Sequence, residues 1–199
     1  MPLALINISR IAIFSAAIGL SGCASTRLVD AQVNSFAPQT ISVGTGYQFE
    51  RLPSQAAHPA SQDKLEALAQ DALLKVGLSQ KDGAPLRVQV SVVQRQETTS
   101  TDGGLHLGLG MGWVFGSGSI GFGHRGALFP GLDSQTIYWR QVSLVMRDAA
   151  GVVVFESHAS NEDIWSDTDA VLAAMLDAAL DGYPAPPPGV RQVRIEIPR

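Results

Sequence analysis

The chain holds a single cysteine, Cys23, in 199 residues. No internal disulfide can form, so an exported form of this protein would rely on its hydrophobic core. Basic charge is scarce as well. Lysine and arginine number 14 against 18 aspartates and glutamates, for a net charge of −4, and no long run of like charge occurs. That balance makes the chain a poor candidate for nucleic acid or anionic lipid. Long apolar runs are missing too. A membrane-spanning helix needs about 20 mostly apolar residues. The run Ile11–Leu20 is about half of that, and Asn7 and Arg10 break the pattern before it. None of His58, His106, His124 and His158 lies in an H-E-x-x-H frame or another familiar metal spacing.

What is present begins at Met1. A free amine and Arg10 precede the apolar run, and Leu20-Ser21-Gly22-Cys23 closes it. A charged start, a short apolar stretch and small residues at a cut site make a secretory signal. The last four residues resemble the lipobox of bacterial lipoproteins. The resemblance implies a diacylglyceryl group on the Cys23 sulfur, cleavage between Gly22 and Cys23, and acylation of the new amine. Two or more acyl chains anchor a protein stably, where one holds only marginally. Ala24 in place of an aspartate points, by analogy with enteric sorting, to the outer membrane and a periplasm-facing domain. The plainer alternative is an ordinary signal peptide with a chance cysteine.

Loss of residues 1–22 removes Arg10 and no acid, so the remaining side chains are one unit more acidic than the whole chain. Residues 23–27 read as a lipidated polar tether, and 28–199 as one domain. Leu28–Val33 and Tyr47–Leu52 read as short strands, the second stopped by Pro53. Leu65, Leu68, Ala69, Ala72, Leu73 and Val76 fall on one helical face. Ser61 is the expected N-cap and Gly77 the stop. Leu86–Val92 alternates strictly and is expected to run on to about Glu97. Thr136–Arg147 and Gly151–Ser157 read as a strand pair joined by a turn at Asp148–Gly151. A second helix carries Val171, Leu172, Met175, Leu176, Ala179 and Leu180 inward. Ser166 and Asp169 are spaced as in a capping box, and Gly182 and Pro184 end the helix. Pro186–Pro188 is a stiff spacer, and Val193–Ile197 a last strand. The expected fold is α+β: one two-layer domain, mostly antiparallel, with both amphipathic helices on one face of the sheet.

These features together resemble a family of bacterial envelope lipoproteins, the one carrying the domain of unknown function numbered four-one-three-six. The lipobox cysteine is followed closely by a strand. Tyr47-Gln48-Phe49-Glu50 precedes a helix ending Leu74-Lys75-Val76-Gly77-Leu78. A Leu-Arg-Val-Gln-Val strand spans 86–90, a glycine-rich stretch and a strand pair follow, and a helix ends at Gly182-Tyr183-Pro184. Phe155 stands where members often carry Trp. The resemblance covers nearly all of the chain after the signal and implies no established activity, so it supplies no catalytic residue.

Motifs with chemical meaning are thin. Gly116–Gly121 spells G-x-G-x-x-G, but the strand before and helix after that hold a pyrophosphate are not expected there. Ser117 and Ser119 lack a G-x-S-x-G frame. His106 and His124 flank the glycine-rich stretch, yet two histidines alone do not make a zinc site. Glu162, Asp163, Asp167 and Asp169 could bind calcium or serve acid–base chemistry. They fit more simply as acids complementing a helix N-terminus. No catalytic residue, metal or cofactor is assigned.

Half of the 20 glycines lie between Gly103 and Gly126. Leu105, Leu107, Leu109, Met111 and Trp113 share one parity, with Phe115 continuing it, and Gly108, Gly110 and Gly112 share the other. A strand here would have one apolar face and one bare face. It reads as a twisted hairpin on its own domain or as a docking segment for a partner protein or membrane. Self-association through such a strand is a third option. The expectation is a membrane-anchored binding or envelope-maintenance module. The alternative is an enzyme or small-ligand domain with its site near the glycine-rich loop, built from His106, His124 and the acids at 162–169.

Overall fold

Alternating inward residues on consecutive antiparallel segments build most of this protein. A computed structural model describes residues 25–39, 41–42, 44–99, 105–106 and 135–198. Strands are β1 (Thr26–Phe36), β2 (Gly46–Phe49), β3 (Ser79–Gln80), β4 (Leu86–Thr99), β5 (Leu105–His106), β6 (Gln135–Arg147), β7 (Val153–Asp163) and β8 (Val190–Pro198). Helices are α1 (Pro53–Ala56), α2 (Pro59–Lys75) and α3 (Thr168–Ala179). The sheet order is β3-β2-β4-β6-β7-β1-β8, with β5 beside the end of β4. Among the described residues, only β2 pairs in parallel, with β3 and β4. The domain is thus α+β with both long helices on one face.

That face is the core. Val29, Ala31 and Val33 of β1, Val88 and Val90 of β4, and Val142, Leu144 and Met146 of β6 are buried there. Leu65 and Leu73 of α2, and Leu172, Met175 and Leu176 of α3, close over them. Full burial of such a side chain contributes about 1.5–3 kcal/mol, which is why these positions dominate the fold. The stop at Gly77 follows from its φ of +84°. Its N–H bonds the Leu74 carbonyl at 3.0 Å and the Leu78 N–H bonds Leu73 at 3.0 Å, a Schellman ending.

Several boundaries differ from the sequence reading. Helix α2 starts with Pro59 after His58, so Ser61 sits inside the first turn instead of capping it. Pro53 opens α1, and β2 ends at Phe49. Strand β1 begins at Thr26, inside the stretch read as tether. Strand β7 runs six residues past Ser157, paired with β1 as far as Ser160 and with β6 as far as Asp163. Helix α3 has Asp167 at its N-cap with no side-chain cap bond, so Ser166 and Asp169 form no capping box there.

The edge of β4 beyond β2 is closed by side chains. Gln55 Nε2 donates to the Val90 carbonyl at 2.7 Å, and Gln62 Nε2 donates to it at 3.3 Å. Gln55 Oε1 accepts the Leu52 N–H at 2.8 Å. Glu66, nearly buried, accepts from Gln62 at 2.9 Å and from Arg51 Nε at 2.7 Å. Amides here stand in for a missing strand, satisfying backbone that burial would otherwise strand. Among the described residues, no helix is long and apolar enough to cross a membrane.

Candidate functional site

The sheet face turned away from the helices is polar. Register sets a row across it: Ser91, Ser143, His158, Asn34 and Val190 lie side by side on β4, β6, β7, β1 and β8. The next row holds Val93, Gln141, Ser160, Gln32 and Gln192. His158 sits near the middle and is half-buried. Its Nδ1 is 2.9 Å from Ser143 Oγ, and its Nε2 is 2.8 Å from Glu156 Oε1. A carboxylate only accepts, so Nε2 donates to Glu156; in the neutral ring Nδ1 then accepts from the Ser143 hydroxyl.

A hydroxyl, an imidazole and a carboxylate therefore stand in the order used for an activated serine nucleophile. Two neighbouring strands pair β6 and β7 on both sides, which engages their backbone N–H groups in the ladder. Donors to a developing oxyanion would have to be side-chain amides. Gln32, Asn34 and Gln141 are the ones nearby, lining a shallow cleft with His158, Ser160 and Val190. The cleft measures about 170 Å³, below the 300–1,000 Å³ or so of pockets that enclose drug-sized ligands. It suits a small polar group or a side chain presented by a partner.

A second polar cluster lies inside, at the end of the sheet where β1 starts. Arg140 is 1% exposed and pairs with Asp163 at 3.1 Å. It also donates to the Trp165 carbonyl at 2.5 Å. Burial pulls its pKa down, and the Asp163 charge opposes that. Arg27 stacks on Trp165, 4.5 Å from the ring centroid, and pairs with Asp167. The helix-side core is thus sealed at this end by two ion pairs flanking one tryptophan.

The acids at 162–169 consequently do not gather around a ligand. Asp163, Asp167 and Asp169 pair with Arg140, Arg27 and Lys64, while Glu162 is exposed. His106 lies opposite Thr98 on β5, His58 is exposed before α2, and His124 is outside the described residues. By backbone position His106 stands on β5, separated from Glu162 and Asp163 of β7 by strands β4 and β6. His158, which lies in no familiar metal spacing, is a hydrogen-bonded mid-strand residue. Among the described residues, no group of three or more His, Cys, Asp and Glu side chains is placed to hold a metal. Cys23, the lipobox and the docking positions 107, 109, 111, 113 and 115 lie outside the described residues; Leu105 pairs with Thr99. The Ser143–His158–Glu156 line was missed because β7 seemed to end at Ser157. An irregularity between Met146 and Arg147 also shifts the register, so counting from the Asp148–Gly151 turn would set Ser143 opposite Ser157 and not His158.

No family model matches the chain, and no curated protein matches it. Solved structures are similar at low identity. A PelC dodecamer from Paraburkholderia phytofirmans is 12% identical, with a TM-score of 0.44, covering 78% of this chain and 99% of that one. A variant of the same PelC gives 13% and 0.43, covering 78% and 98%. A PDZ domain protein from Parabacteroides distasonis gives 13% and 0.47, covering 94% of this chain and 42% of the other.

Proposed function

We propose that this protein is a lipid-anchored envelope lipoprotein, facing the periplasm from the outer membrane, whose domain is a binding or envelope-maintenance module. The observation that carries the reading is Leu20-Ser21-Gly22-Cys23, placed directly after a short apolar run and three residues before β1. A lipid on Cys23 would hold the domain at the membrane, and the polar face around His158 would be left free to meet a partner. The resemblance to the lipoprotein family numbered four-one-three-six supports the same reading. Cells fed an alkyne fatty acid test it. The full-length protein should take up the label and fractionate with membranes, and Cys23→Ser should lose both properties. An unlabelled wild-type protein would overturn the anchor.

The line Ser143–His158–Glu156 favours a second reading, an acyl-transfer or hydrolytic site on the open sheet face. A fluorophosphonate probe should then label the wild type and spare Ser143→Ala and His158→Ala. Absence of label on the wild type removes this reading.

A further inference from the structure

Strand directions fix which parts of the molecule share an end. Strand β1 starts at Thr26, opposite Pro198 at the end of β8. Strand β7 is antiparallel to β1 and finishes at Asp163 beside the start of β6, where Tyr138 faces it. Strand β4 finishes alongside, with Thr99 opposite Gln135. One end of the sheet therefore holds the start of β1, the close of β8, the β7–α3 connection, and both residues that bracket 100–134. The opposite end holds Phe36, the β6–β7 turn and Gly189.

Distance then matters. Consecutive Cα atoms are 3.80 Å apart across a trans peptide, so Cys23 lies within about 11 Å of Thr26. Strand β1, at about 3.3 Å per residue, extends roughly 35 Å away from that point. A tether so much shorter than the strand leaves the domain little choice about which end is nearest the bilayer.

We propose that the sheet end carrying Thr26, Pro198 and the β7–α3 connection is the surface this protein turns to the lipid bilayer. The proposal rests on the anchor at Cys23. Its occupant is a lipid headgroup layer. Attraction by anionic lipid is not required, which suits an acidic chain. Exposed Leu28 and Ile164 lie at this end. A consequence is that the chain between Thr99 and Gln135 leaves and re-enters the sheet on the membrane side.

The test uses the lipidated full-length protein in phosphatidylcholine vesicles carrying a headgroup nitroxide. Leu28 and Phe36 are both 56% exposed and lie on one strand, eight residues apart. A bimane at Leu28→Cys should be quenched several-fold more than one at Phe36→Cys. Ile164→Cys and Val152→Cys, which flank the two ends of β7, repeat the comparison should β1 tolerate labels poorly. Cys23 carries the lipid, so each variant offers one thiol. Equal or reversed quenching in a protein shown by mass to be lipidated overturns this orientation alone. A protein without lipid on Cys23 overturns the anchor and the orientation with it.

Discussion

Arg140 and Asp163 grip one residue, Trp165, by its two backbone groups. Asp163 Oδ1 accepts the Trp165 N–H at 2.9 Å, and Arg140 Nη2 donates to the Trp165 carbonyl at 2.5 Å, while the two side chains pair at 3.1 Å. The connection from β7 to α3 is thereby fixed to the sheet from inside, and Arg27 packs on the Trp165 ring beyond it.

Replacing Arg140 alone should be costly. Arg140→Met leaves the mostly buried Asp163 without its cation and the Trp165 carbonyl without this donor. Loss of one partner from a buried pair costs about 3–5 kcal/mol. Urea unfolding should show a drop of that size, and Arg140→Met with Asp163→Asn should recover part of it. A loss under about 1 kcal/mol would place the pair among exposed ion pairs.

Alkaline pH should loosen the fold through two tyrosines. The Tyr47 and Tyr183 hydroxyls are buried with no protein partner, and burial raises each to about 12. An unfolded tyrosine ionises near 10. Their stabilising contribution is therefore whole below pH of about 10 and fades as pH climbs toward about 12. Phenolate absorbance should rise together with loss of secondary structure in that window. Tyr47→Phe and Tyr183→Phe should remain folded to higher pH, with stability near neutrality unchanged or slightly increased. Early, non-cooperative ionisation of both rings would contradict their burial.

Gln55 should matter out of proportion to its place in a four-residue helix. Gln55→Ala removes a donor to Val90 and the acceptor for Leu52, each a backbone group, at about 1–3 kcal/mol for a buried group left unmatched. Gln62 still reaches Val90, so the effect should grow in the Gln55→Ala, Gln62→Ala pair. Amide exchange along the middle of β4 reports it directly. Unchanged exchange would show that this edge needs no side-chain cover.

Gly77→Ala should cost about 1 kcal/mol, the penalty for a side chain in a left-handed helix ending. Thermal unfolding measures it. A neutral result would mean that the end of α2 rearranges without its Schellman bonds.

Those helix and strand identities could be read from sequence wherever inward positions are aliphatic. Leu65 to Val76, Leu86 to Val92 and Val171 to Leu180 each show their period openly. Legibility failed where buried positions are polar. Ser157 and Asn161 face inward on β7, as Ser35 does on β1 and Arg140 on β6. Each is satisfied by a partner distant in sequence, such as Ser35 with Ser157 at 2.9 Å or Asn161 with the Asp30 carbonyl at 2.8 Å. Alternation of apolar and polar residues cannot reveal a polar core position, so β7 seemed to stop early. His158 was left out of the sheet for that reason, and with it the line that joins Ser143 to Glu156. Acids at 162–169 misled in the opposite way. Their partners Arg27, Lys64 and Arg140 come from three other elements, and nothing local announces them.

Strands β4 and β6 remain in register from Arg87 opposite Arg147 to Thr99 opposite Gln135. The chain spliced between them is long, yet its closure is underwritten by a ladder that runs the length of the domain. Doubling or halving such a connection changes the closure entropy by only about 0.6 kcal/mol. A change in the length of the connection between Thr99 and Gln135 should therefore cost folding little. Natural variation in this protein's relatives should concentrate there, an interchangeable cassette seated on a conservative base.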